Sequence, residues 1–475
     1  MNIPEEQIPM QCPYFTKGCG GCGGLDVSYE ETLTKKQEAI RKLFPDALPI
    51  LPADKPMHCR NKSLRTFSGG KGRLISGIYR AGTHQVVELR ECALENRRSC
   101  QILAAATDLL RDMGLSAYNE DTHRGILRHM QLRRAPATGE VLLTVITGCD
   151  VFPGGKEFAA TIMKRFPEIK GVIQNINDRD SSAVLGFRDK LLAGKDEIRD
   201  VMCGLQAVLT SRSFYQVNTP QAEKLYRLAV SYADPRPDET LLDAYCGIGL
   251  IGMLAARSGG QVTGIELVRP AIECAKKAAH LNDLDNIRFL CGDAVKALHD
   301  PSARYDTVLV DPPRAGLSDA FTRALIAHAP AKIVYVSCNP ETLARDLSLL
   351  TPAGYTPSPV QPVDLFPFTP HLETVVLLSK GEIDSKRIRV EFPLDNMDIA
   401  AFREKATYPQ IKNYVLENTG LKVSSLYISQ IKRKCGLDVS DSYNKPKSED
   451  SRVPQCPPEK EEAIIDALKH FGMIS

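Results

Sequence analysis

The 475-residue sequence contains no tryptophan, no long apolar segment and no excess of charge of either sign. Sixty Lys and Arg against 58 Asp and Glu give a formal net charge of +2, which excludes a highly charged nucleic-acid-binding tail. No apolar run approaches the roughly 18 residues of a membrane span, so we expect no membrane association. The opening residues lack the basic and apolar regions of a signal peptide, and we therefore expect a cytoplasmic protein.

Cysteine is abundant by comparison, with 14 residues. Because cytoplasmic thiols stay reduced, metal binding or catalysis is favoured over disulfide formation. Cys12, Cys19 and Cys22 lie in the glycine-rich segment CPYFTKGCGGCGG, which can wrap three thiolates around one metal centre. Their spacing favours an iron–sulfur cluster over structural zinc, which usually has two close pairs of ligands. The candidates for a fourth ligand are Cys59, Cys92 and Cys100.

Two basic stretches lie in the strand-rich region between residues 31 and 205. The first runs from Lys55 to Arg80 without an acidic residue, and the second is THRGILRHMQLRRA. A solvent-exposed strand face would explain either stretch alone, but the two together indicate a local surface that binds phosphates of a nucleic acid. The basic residues are Lys55, Arg60, Lys62, Arg65, Lys71, Arg73 and Arg80 in the first stretch and Arg124, Arg128, Arg133 and Arg134 in the second.

Residues 206–380 alternate short apolar strands with helical segments. The strand segments are LLDAYCGIG, QVTGIEL, IRFLCGDA, YDTVLVDPP, KIVYVSCNP and ETVVLLSK. This alternation predicts an α/β fold with a parallel, doubly wound sheet. Since ligands bind at the carboxyl ends of the strands in such sheets, the polar residues concentrated there indicate a ligand site.

The first of these strands leads into a glycine-rich turn. Gly247, Gly249 and Gly252 satisfy the pattern G-x-G-x-x-G, and Glu266 ends the next strand, where its carboxylate can bind a ribose diol. A dinucleotide and S-adenosylmethionine both need these features, so the motif indicates an adenosine-containing ligand without choosing between them. An iron–sulfur oxidoreductase with a bound dinucleotide is therefore one hypothesis.

Two later strand ends favour a methyltransferase instead. Asp293 follows the third strand, where it can bind an adenine edge, and Asp311 begins the rigid turn Asp-Pro-Pro-Arg after the fourth strand. Methyltransferases that act on nucleobases carry such a proline turn beside the methyl group, whereas hydride transfer has no particular use for one. A non-catalytic RNA-binding protein on a methyltransferase scaffold is the third hypothesis.

Cys338, at the carboxyl end of the strand segment KIVYVS, is the candidate nucleophile. Carbon-5 of a pyrimidine becomes nucleophilic only after a group adds to carbon-6, and a thiolate can make and later reverse this addition. A base must then remove the proton from carbon-5. Glu373, at the start of the last strand, is the candidate base, with His371 as a competitor.

Five motifs resemble those of the RNA uracil-5-methyltransferases, which make 5-methyluridine in 23S ribosomal RNA and in transfer RNA. They are FYQVN (214–218), DAYCGIG (243–249), DPPRAG (311–316), SCNPETLARDL (337–347) and FPFTPHLETVVLL (366–378). The resemblance implies an S-adenosylmethionine-dependent enzyme with a Rossmann-like class I methyltransferase domain, in which Cys338 is the nucleophile and Glu373 the base. The residues that it implies for the S-adenosylmethionine site are Gln216, Tyr245, Glu266 and Asp311, beside Gly247 and Asp293.

The same resemblance implies a [4Fe-4S] cluster on Cys12, Cys19, Cys22 and Cys92. The ribosomal-RNA branch carries its fourth ligand in a hydrophobic strand followed by C-x-L, as in ELRECAL, and Cys100 would then take no part. The transfer-RNA branch usually lacks the cluster, so 23S rRNA is the expected substrate and tRNA the alternative. We expect the enzyme to be a monomer.

The chain is accordingly expected to have four parts. Residues 1–30 form an iron–sulfur cluster loop, 31–205 a β-rich RNA-binding central domain, 206–380 the methyltransferase domain and 381–475 a C-terminal extension. In the extension, TYPQIKNYVLENTG and SSLYISQIKRKCGL predict a helix–turn–helix-like pair that ends at Gly420 and Gly436, with Ser424 or Ser425 as the second helix cap. A short final helix is predicted after a Pro-rich, charged segment.

Overall fold

A computed structural model describes residues 12–120, 122–179, 183–380, 408–435, 456–470 and 473. The chain divides into two compact units, Met1–Val390 and Glu391–Ser475. Within the described ranges, no helix is both long and apolar enough to span a membrane. The helices are α1 (Tyr29–Leu43), α2 (Arg97–Asp112), α3 (Gly155–Arg165), α4 (Thr219–Ala233), α5 (Leu250–Arg257), α6 (Arg269–Leu281), α7 (Ala294–His299), α8 (Asp319–His328), α9 (Pro340–Leu350), α10 (Tyr408–Thr419), α11 (Ser425–Lys434) and α12 (Pro458–His470). The strands are β1 (Lys62–Ser68), β2 (Ile75–Tyr79), β3 (Val86–Glu88), β4 (Leu127–Arg134), β5 (Val141–Thr147), β6 (Ile169–Ile176), β7 (Arg188–Gly194), β8 (Glu197–Met202), β9 (Leu205–Thr210), β10 (Thr240–Ala244), β11 (Gln261–Glu266), β12 (Ile287–Cys291), β13 (Thr307–Val310), β14 (Lys332–Ser337), β15 (Tyr355–Pro357), β16 (Gln361–Val363) and β17 (Glu373–Lys380).

The first sheet has seven strands in the order β3-β2-β1-β4-β5-β6-β7. Only β5 and β6 pair in parallel; the other neighbours are antiparallel. Apolar side chains of α2 and α3, such as Leu103 and Phe158, pack with Leu143 of β5 in one core. β1 alternates buried and partly exposed residues, so one face of this strand lies on the core while the other is open. α1 precedes this sheet in the chain, and β2 and β3 form an antiparallel hairpin.

The second sheet contains eight strands, in the order β12-β11-β10-β13-β14-β17-β15, with β16 also paired to β17. The five strands from β12 to β14 run parallel. Helices cover both faces: residues of α4, α5 and α6 belong to one apolar cluster, and residues of α7, α8 and α9 belong to the other. The predicted doubly wound α/β architecture is therefore present, and the carboxyl ends of its parallel strands share one edge.

The direction of the last strand was predicted wrongly. β17 runs antiparallel to β14, β15 and β16, so the sheet is mixed rather than wholly parallel. A parallel strand needs a crossover connection, usually a helix, and after α9 the chain instead forms a short 3-10 turn and two short strands before it enters β17. The reversal brings the first residue of β17 to the edge at which β14 ends.

Three arginines of the basic stretches are buried and stabilise the fold, which corrects the expectation that the whole of both stretches faces phosphates. Arg65 is 0% exposed and pairs with Glu95 at 2.5 Å. Arg133 donates to the carbonyl oxygen of Ser213 at 2.5 Å. The third, Arg128, donates to backbone carbonyls and to a carboxylate. Only the basic residues that stay exposed are therefore available to contact phosphates.

The described residues of the second unit form three helices around an apolar cluster of their own. α10 ends one residue before Gly420, whose φ of +71° suits glycine, and the Ser424 side chain accepts a hydrogen bond from the Tyr427 amide at the start of α11. These two predicted helices and the final helix, α12, are confirmed. Gly436 and residues 444–455 of the Pro-rich segment lie outside the described residues.

Candidate active site

The pairing of β14 with β17 brings the predicted nucleophile and base together. Ser337, the last residue of β14, pairs with Thr374, and the Thr374 hydroxyl donates to the Ser337 carbonyl oxygen at 3.0 Å. Cys338 follows Ser337, and Glu373 precedes Thr374, so in an antiparallel ladder these two residues are the next neighbours. They lie at the edge formed by the carboxyl ends of the parallel strands.

The Cys338 thiol is partly buried and lies near negatively charged groups. Burial is the main cause that raises its pKa to about 11, and the carboxylates of Glu373 and Asp311 add to the effect. Arg314 acts in the opposite direction, because a nearby cation stabilises the thiolate. In the absence of substrate the thiol is therefore almost entirely protonated at neutral pH.

Glu373 and Asp311 form a pair of interacting carboxyl groups. Glu373 is 2% exposed, and its Oε2 atom has no hydrogen-bond partner among the described residues. Burial and then the charge of Asp311 raise the pKa of Glu373 well above its ordinary value, against a lowering effect of Arg314. Burial also raises the pKa of Asp311 to about 7. Near neutral pH the pair holds at least one proton, and Glu373 has a high proton affinity once it is ionised.

The turn that follows β13 is fixed by α9 and the residue before it. Asn339 donates to the Arg314 carbonyl oxygen at 3.1 Å, and Arg345 donates to the Ala315 carbonyl oxygen at 2.9 Å. Asp346 accepts from the Leu317 amide at 2.8 Å. The predicted rigid turn is thus held in place by contacts from the strand–helix unit that carries Cys338.

The side chain of Arg314 reaches the other candidate base. Its Nη2 lies 3.3 Å from Nδ1 of His371. Burial, and after it the positive charge of Arg314, lower the pKa of the His371 imidazole, so the neutral ring is favoured. His371 therefore lies at the site, but the carboxylate of Glu373 is the group that the strand register places beside Cys338.

The glycine-rich turn lies between β10 and α5. Gly247 and Gly249 have φ values of +55° and +79°, and Tyr245 also has a positive φ of +62°. The Gly247 amide donates to Oε2 of Glu266 at 3.2 Å, which orients that carboxylate at the end of β11. Apart from Gly247 and its chain neighbours, no described residue has an atom within 4 Å of where a Cβ on Gly247 would be, so a ligand can approach its backbone. On Gly249, in contrast, a Cβ would lie 2.4 Å from the Phe289 ring.

The remaining predicted ligand residues surround the same edge. Asp293 follows β12 and accepts a hydrogen bond from the Val295 amide at 2.9 Å, as the cap of α7. The Tyr245 ring lies 5.2 Å from that of Phe321. Gln216 is 3% exposed in the segment before α4, and its carbonyl oxygen accepts from Asn61 at 2.9 Å. Predicted site residues thus lie at the carboxyl ends of β10, β11, β12, β13 and β14, and Gln216 lies in the segment before α4.

Sequence reasoning missed three groups close to this edge. Arg314 belongs to a motif that was recognised, yet it was given no role. Asp243 in β10 is 1% exposed, accepts from the Gly252 amide at 2.9 Å, and has its pKa raised to about 8 by burial. Tyr226 of α4 is buried and its pKa is raised, in part by Asp311 and Glu373. The tyrosine had no signal in the sequence, since it lies in an ordinary amphipathic helix.

Three of the four predicted cluster ligands lie around a common apolar group. Cys12, Cys22 and Cys92 pack against the cluster formed by Leu25, Leu94 and Phe368. Burial raises the pKa of the Cys22 thiol to about 11, and the charges of Cys92, Cys19 and Cys12 add to the effect. In the part of the chain that the structure describes, however, no three His, Cys, Asp or Glu side chains are arranged as a metal-binding group.

The two other candidates for a fourth ligand have different partners. The Cys59 thiol donates to the Pro56 carbonyl oxygen at 3.6 Å. The Cys100 thiol is 3.6 Å from Oε2 of Glu95, the carboxylate that pairs with Arg65. Both thiols nevertheless lie close enough to Cys92 for its charge to raise their pKa.

Comparison with known proteins gives a family assignment. Residues 198–381 match the family model described as tRNA (Uracil-5-)-methyltransferase. A protein of Halalkalibacterium halodurans with the name uncharacterized RNA methyltransferase is 35% identical over 389 residues, which are 80% of this chain and 85% of that protein. A Bacillus cereus protein of the same name is 36% identical over 383 residues, 78% of this chain and 83% of that protein.

A solved structure agrees with this assignment. The crystal structure of Pyrococcus abyssi tRNA (uracil-54, C5)-methyltransferase in complex with S-adenosyl-L-homocysteine superimposes with a TM-score of 0.65 and 28% identity, over 76% of this chain and 84% of that chain. The matched family model spans β14, β17 and the edge at which Cys338 and Glu373 meet. The chain therefore belongs to the RNA uracil-5-methyltransferase family.

Proposed function

We propose that the protein transfers a methyl group from S-adenosylmethionine to carbon-5 of a uridine in RNA. The observation that carries this proposal is the antiparallel register of β14 and β17, which makes Cys338 and Glu373 neighbours at the ligand edge of the sheet. A nucleophile and a base side by side are what substitution at carbon-5 of uracil requires. The P. abyssi relative, with bound S-adenosyl-L-homocysteine, supports the choice of methyl donor.

The reaction begins when the Cys338 thiolate adds to carbon-6 of the uracil ring. The ring then carries an enolate whose carbon-5 attacks the methyl group of S-adenosylmethionine, and S-adenosylhomocysteine leaves. Glu373 removes the proton from carbon-5, and the electron pair of that C–H bond expels the Cys338 thiolate. The raised pKa of Glu373 suits this step, because a carboxylate with a high proton affinity is a stronger base.

S-adenosylmethionine is proposed to lie over the glycine turn. The open space at Gly247 allows the ligand to contact the backbone, and Glu266 is oriented at the end of β11 to accept from the ribose hydroxyls. Asp293 and Asp311 follow the next strands, and Gln216 and Tyr245 complete the proposed site. The Asp293 carboxylate keeps acceptor capacity for the adenine amino group beyond its single capping bond.

A trapping experiment tests the nucleophile. RNA that contains 5-fluorouridine should form a covalent complex with the enzyme and S-adenosylmethionine, because fluorine at carbon-5 cannot be removed as a proton. Cys338→Ala should form no complex, whereas Cys149→Ala, at a partly exposed cysteine that follows β5 of the seven-stranded sheet, should form it as the wild type does. Equal complex formation by Cys338→Ala would refute the assignment.

For the substrate, we propose 23S rRNA, with tRNA as the alternative. The cysteine-rich loop supports the first, since that feature is typical of the ribosomal-RNA branch, and the P. abyssi tRNA enzyme supports the second. Mass spectrometry of 5-methyluridine in both RNAs from a strain without the gene decides between them. Loss of the modification from tRNA alone would refute the ribosomal assignment.

We also propose a [4Fe-4S] cluster on Cys12, Cys19, Cys22 and Cys92. The four thiols have the donor chemistry, and three of them share one apolar group, where burial raises the pKa of Cys22 and Cys92. Thiolates in such surroundings need a cationic partner, which an iron–sulfur centre provides. Anaerobically purified protein should be brown with about four irons per chain. Cys22→Ser should lose the iron and Cys100→Ser should keep it; a colourless protein that contains zinc would refute the cluster.

A further inference from the structure

A groove of about 1030 Å³ runs across the open face of the seven-stranded sheet. Lys62, Leu64 and Thr66 line it from β1, because alternate residues of a strand share one face. A second cavity of about 610 Å³ adjoins the groove and shares Thr66, Tyr79 and His84 with it. A pocket for one drug-sized ligand has about 300–1,000 Å³, so the joined cavities, called the sheet groove below, have room for more than a single nucleotide.

The charge of the sheet groove suits a polyanion. Its two acidic residues are already paired: Glu95 with Arg65 at 2.5 Å and Glu120 with Arg128 at 2.7 Å. Among the described residues, the other cations that line the groove have no acidic partner within 4.0 Å. These cations are Arg60, Lys62, Arg80 and Arg124. The groove therefore has a surplus of positive charge, which favours phosphate groups.

Lys62 is one of the partly buried cations of this group. It lies opposite Arg133 in the pairing of β1 with β4. Burial and the charge of Arg133 lower the pKa of its ammonium group to about 8. A partly buried ammonium group beside a second cation is costly unless an anion binds, and a phosphate would supply that partner.

The walls of the sheet groove carry rings on which bases can stack. Tyr79 and His84 form an edge-to-face pair with their centroids 5.6 Å apart. Tyr118 lines the second cavity, with the Arg128 guanidinium 5.1 Å from its ring centroid. Stacking on aromatic side chains requires unpaired bases, so these walls favour a single strand over a duplex.

One end of the sheet groove adjoins the candidate active site. Asn61, next to Lys62, donates to the carbonyl oxygens of Gln216 and Val217 at 2.9 and 2.8 Å. Arg60 lies close enough to His371 for its charge to lower the pKa of that imidazole. A strand that leaves the active site can therefore enter the groove directly.

We propose that the sheet groove binds the single-stranded RNA next to the target uridine. Lys62, Arg60, Arg80 and Arg124 contact its phosphates, and Tyr79, His84 and Tyr118 stack on its bases. The identity of the nucleic acid as RNA rests on the proposed function; the geometry of the groove does not.

Binding of a fluorescein-labelled U12 oligonucleotide to the full chain, without S-adenosylmethionine, tests the groove by itself. Arg124→Gln should weaken binding about tenfold and reduce the slope of log K against log salt by about one, since one phosphate contact is lost. Arg165→Gln, an exposed change at the end of α3, which packs on the core face of the sheet and not on the groove face, is the matched control and should stay within twofold of the wild type. Lys62→Gln should act as Arg124→Gln does.

Photocrosslinking with a 4-thiouridine version of the same oligonucleotide provides a second readout that does not depend on variants. The crosslinked peptides should contain Tyr79, His84 or Tyr118. Equal weakening by Arg124→Gln and Arg165→Gln, crosslinks confined to other segments, or a 12-base-pair duplex that binds as tightly as the single strand would each overturn the proposal.

Failure of the groove and failure of the proposed function give different results. If the enzyme methylates RNA but Arg124→Gln leaves the KM for that RNA unchanged, the groove assignment is wrong. If the oligonucleotide binds as expected but no methyl group is transferred to any RNA, the proposed function is wrong and the groove stands. If both assignments hold, Arg124→Gln should raise KM about tenfold with little change in kcat, because its side chain contacts no reacting atom.

Discussion

The reactivity of Cys338 provides the sharpest test of the site. Its pKa is raised from 9.0 to about 11. At pH 7.5 this shift lowers the thiolate fraction from roughly 3% to roughly 0.03%, about 100-fold. A thiolate of higher pKa is more nucleophilic, which recovers about tenfold. The Cys338 thiol should therefore react with iodoacetamide about tenfold more slowly than a thiol of ordinary pKa.

The assay measures alkylation of individual cysteines by mass spectrometry between pH 7 and pH 10. Cys291, the exposed cysteine of the described chain, serves as a reference for access to the reagent. Steric protection alone would slow Cys338 by the same factor at every pH. A raised pKa instead predicts a rate that increases about tenfold per pH unit over most of this range, because only the thiolate reacts.

A variant separates charge from burial. Arg314→Met removes the cation that lowers the pKa of Cys338, so alkylation at pH 7.5 should slow further, and the pH profile should shift upward. The reasoning fails if the Cys338 rate levels off below pH 9, or if Arg314→Met reacts faster than the wild type. A rate that levels off below pH 9 would mean that the thiol is already activated in the free enzyme, and a faster reaction of the variant would mean that Arg314 does not stabilise the thiolate.

Three further outcomes are expected. Glu373→Gln should form the covalent adduct with unmodified RNA and S-adenosylmethionine, which gel electrophoresis would show. In single-turnover assays this variant should release product at least about 100-fold more slowly than the wild type. Normal release would exclude Glu373 as the base. Glu95→Gln should lower the free energy of unfolding by about 3–5 kcal/mol, because the buried Arg65 loses its charged partner. A loss below about 1 kcal/mol in urea denaturation would contradict this expectation. Gly249→Ala should lower the free energy of unfolding by about 3 kcal/mol, because residue 249 has a φ of +79° and its Cβ would lie 2.4 Å from the Phe289 ring. Calorimetry should also show weaker binding of S-adenosylmethionine. Unchanged stability and affinity would show that the turn can relax.

Local patterns were sufficient to predict most of the elements around the site. Short apolar runs, several of which end in an acidic or glycine-rich turn, marked β10 to β14, and their parallel arrangement places Glu266, Asp293 and Asp311 along one edge. The direction of β17 was missed although a signal existed: residues 351–372 are Pro-rich and lack helical periodicity, so no helical crossover to a parallel strand was available.

The role of the buried arginines could not be predicted from local patterns. Arg65 is directed inward by the alternation of β1, and its burial is tolerable only because Glu95, 30 residues away along the chain, reaches it. Similarly, Arg133 depends on the carbonyl oxygen of Ser213, 80 residues further on. Partners at such separations are fixed by tertiary packing, so a count of basic residues overstates the charge that RNA can contact.

The late position of β17 in the chain has a consequence for biosynthesis. Cys338 is translated before Glu373, and β17 must insert between β14 and the pair of β15 and β16 before the two side chains meet. A nascent chain that ends before this strand can complete its parallel sheet and its glycine turn but cannot bring Glu373 beside Cys338. Most of the fold can therefore form on the ribosome before the two side chains meet, and their pairing depends on the arrival of β17.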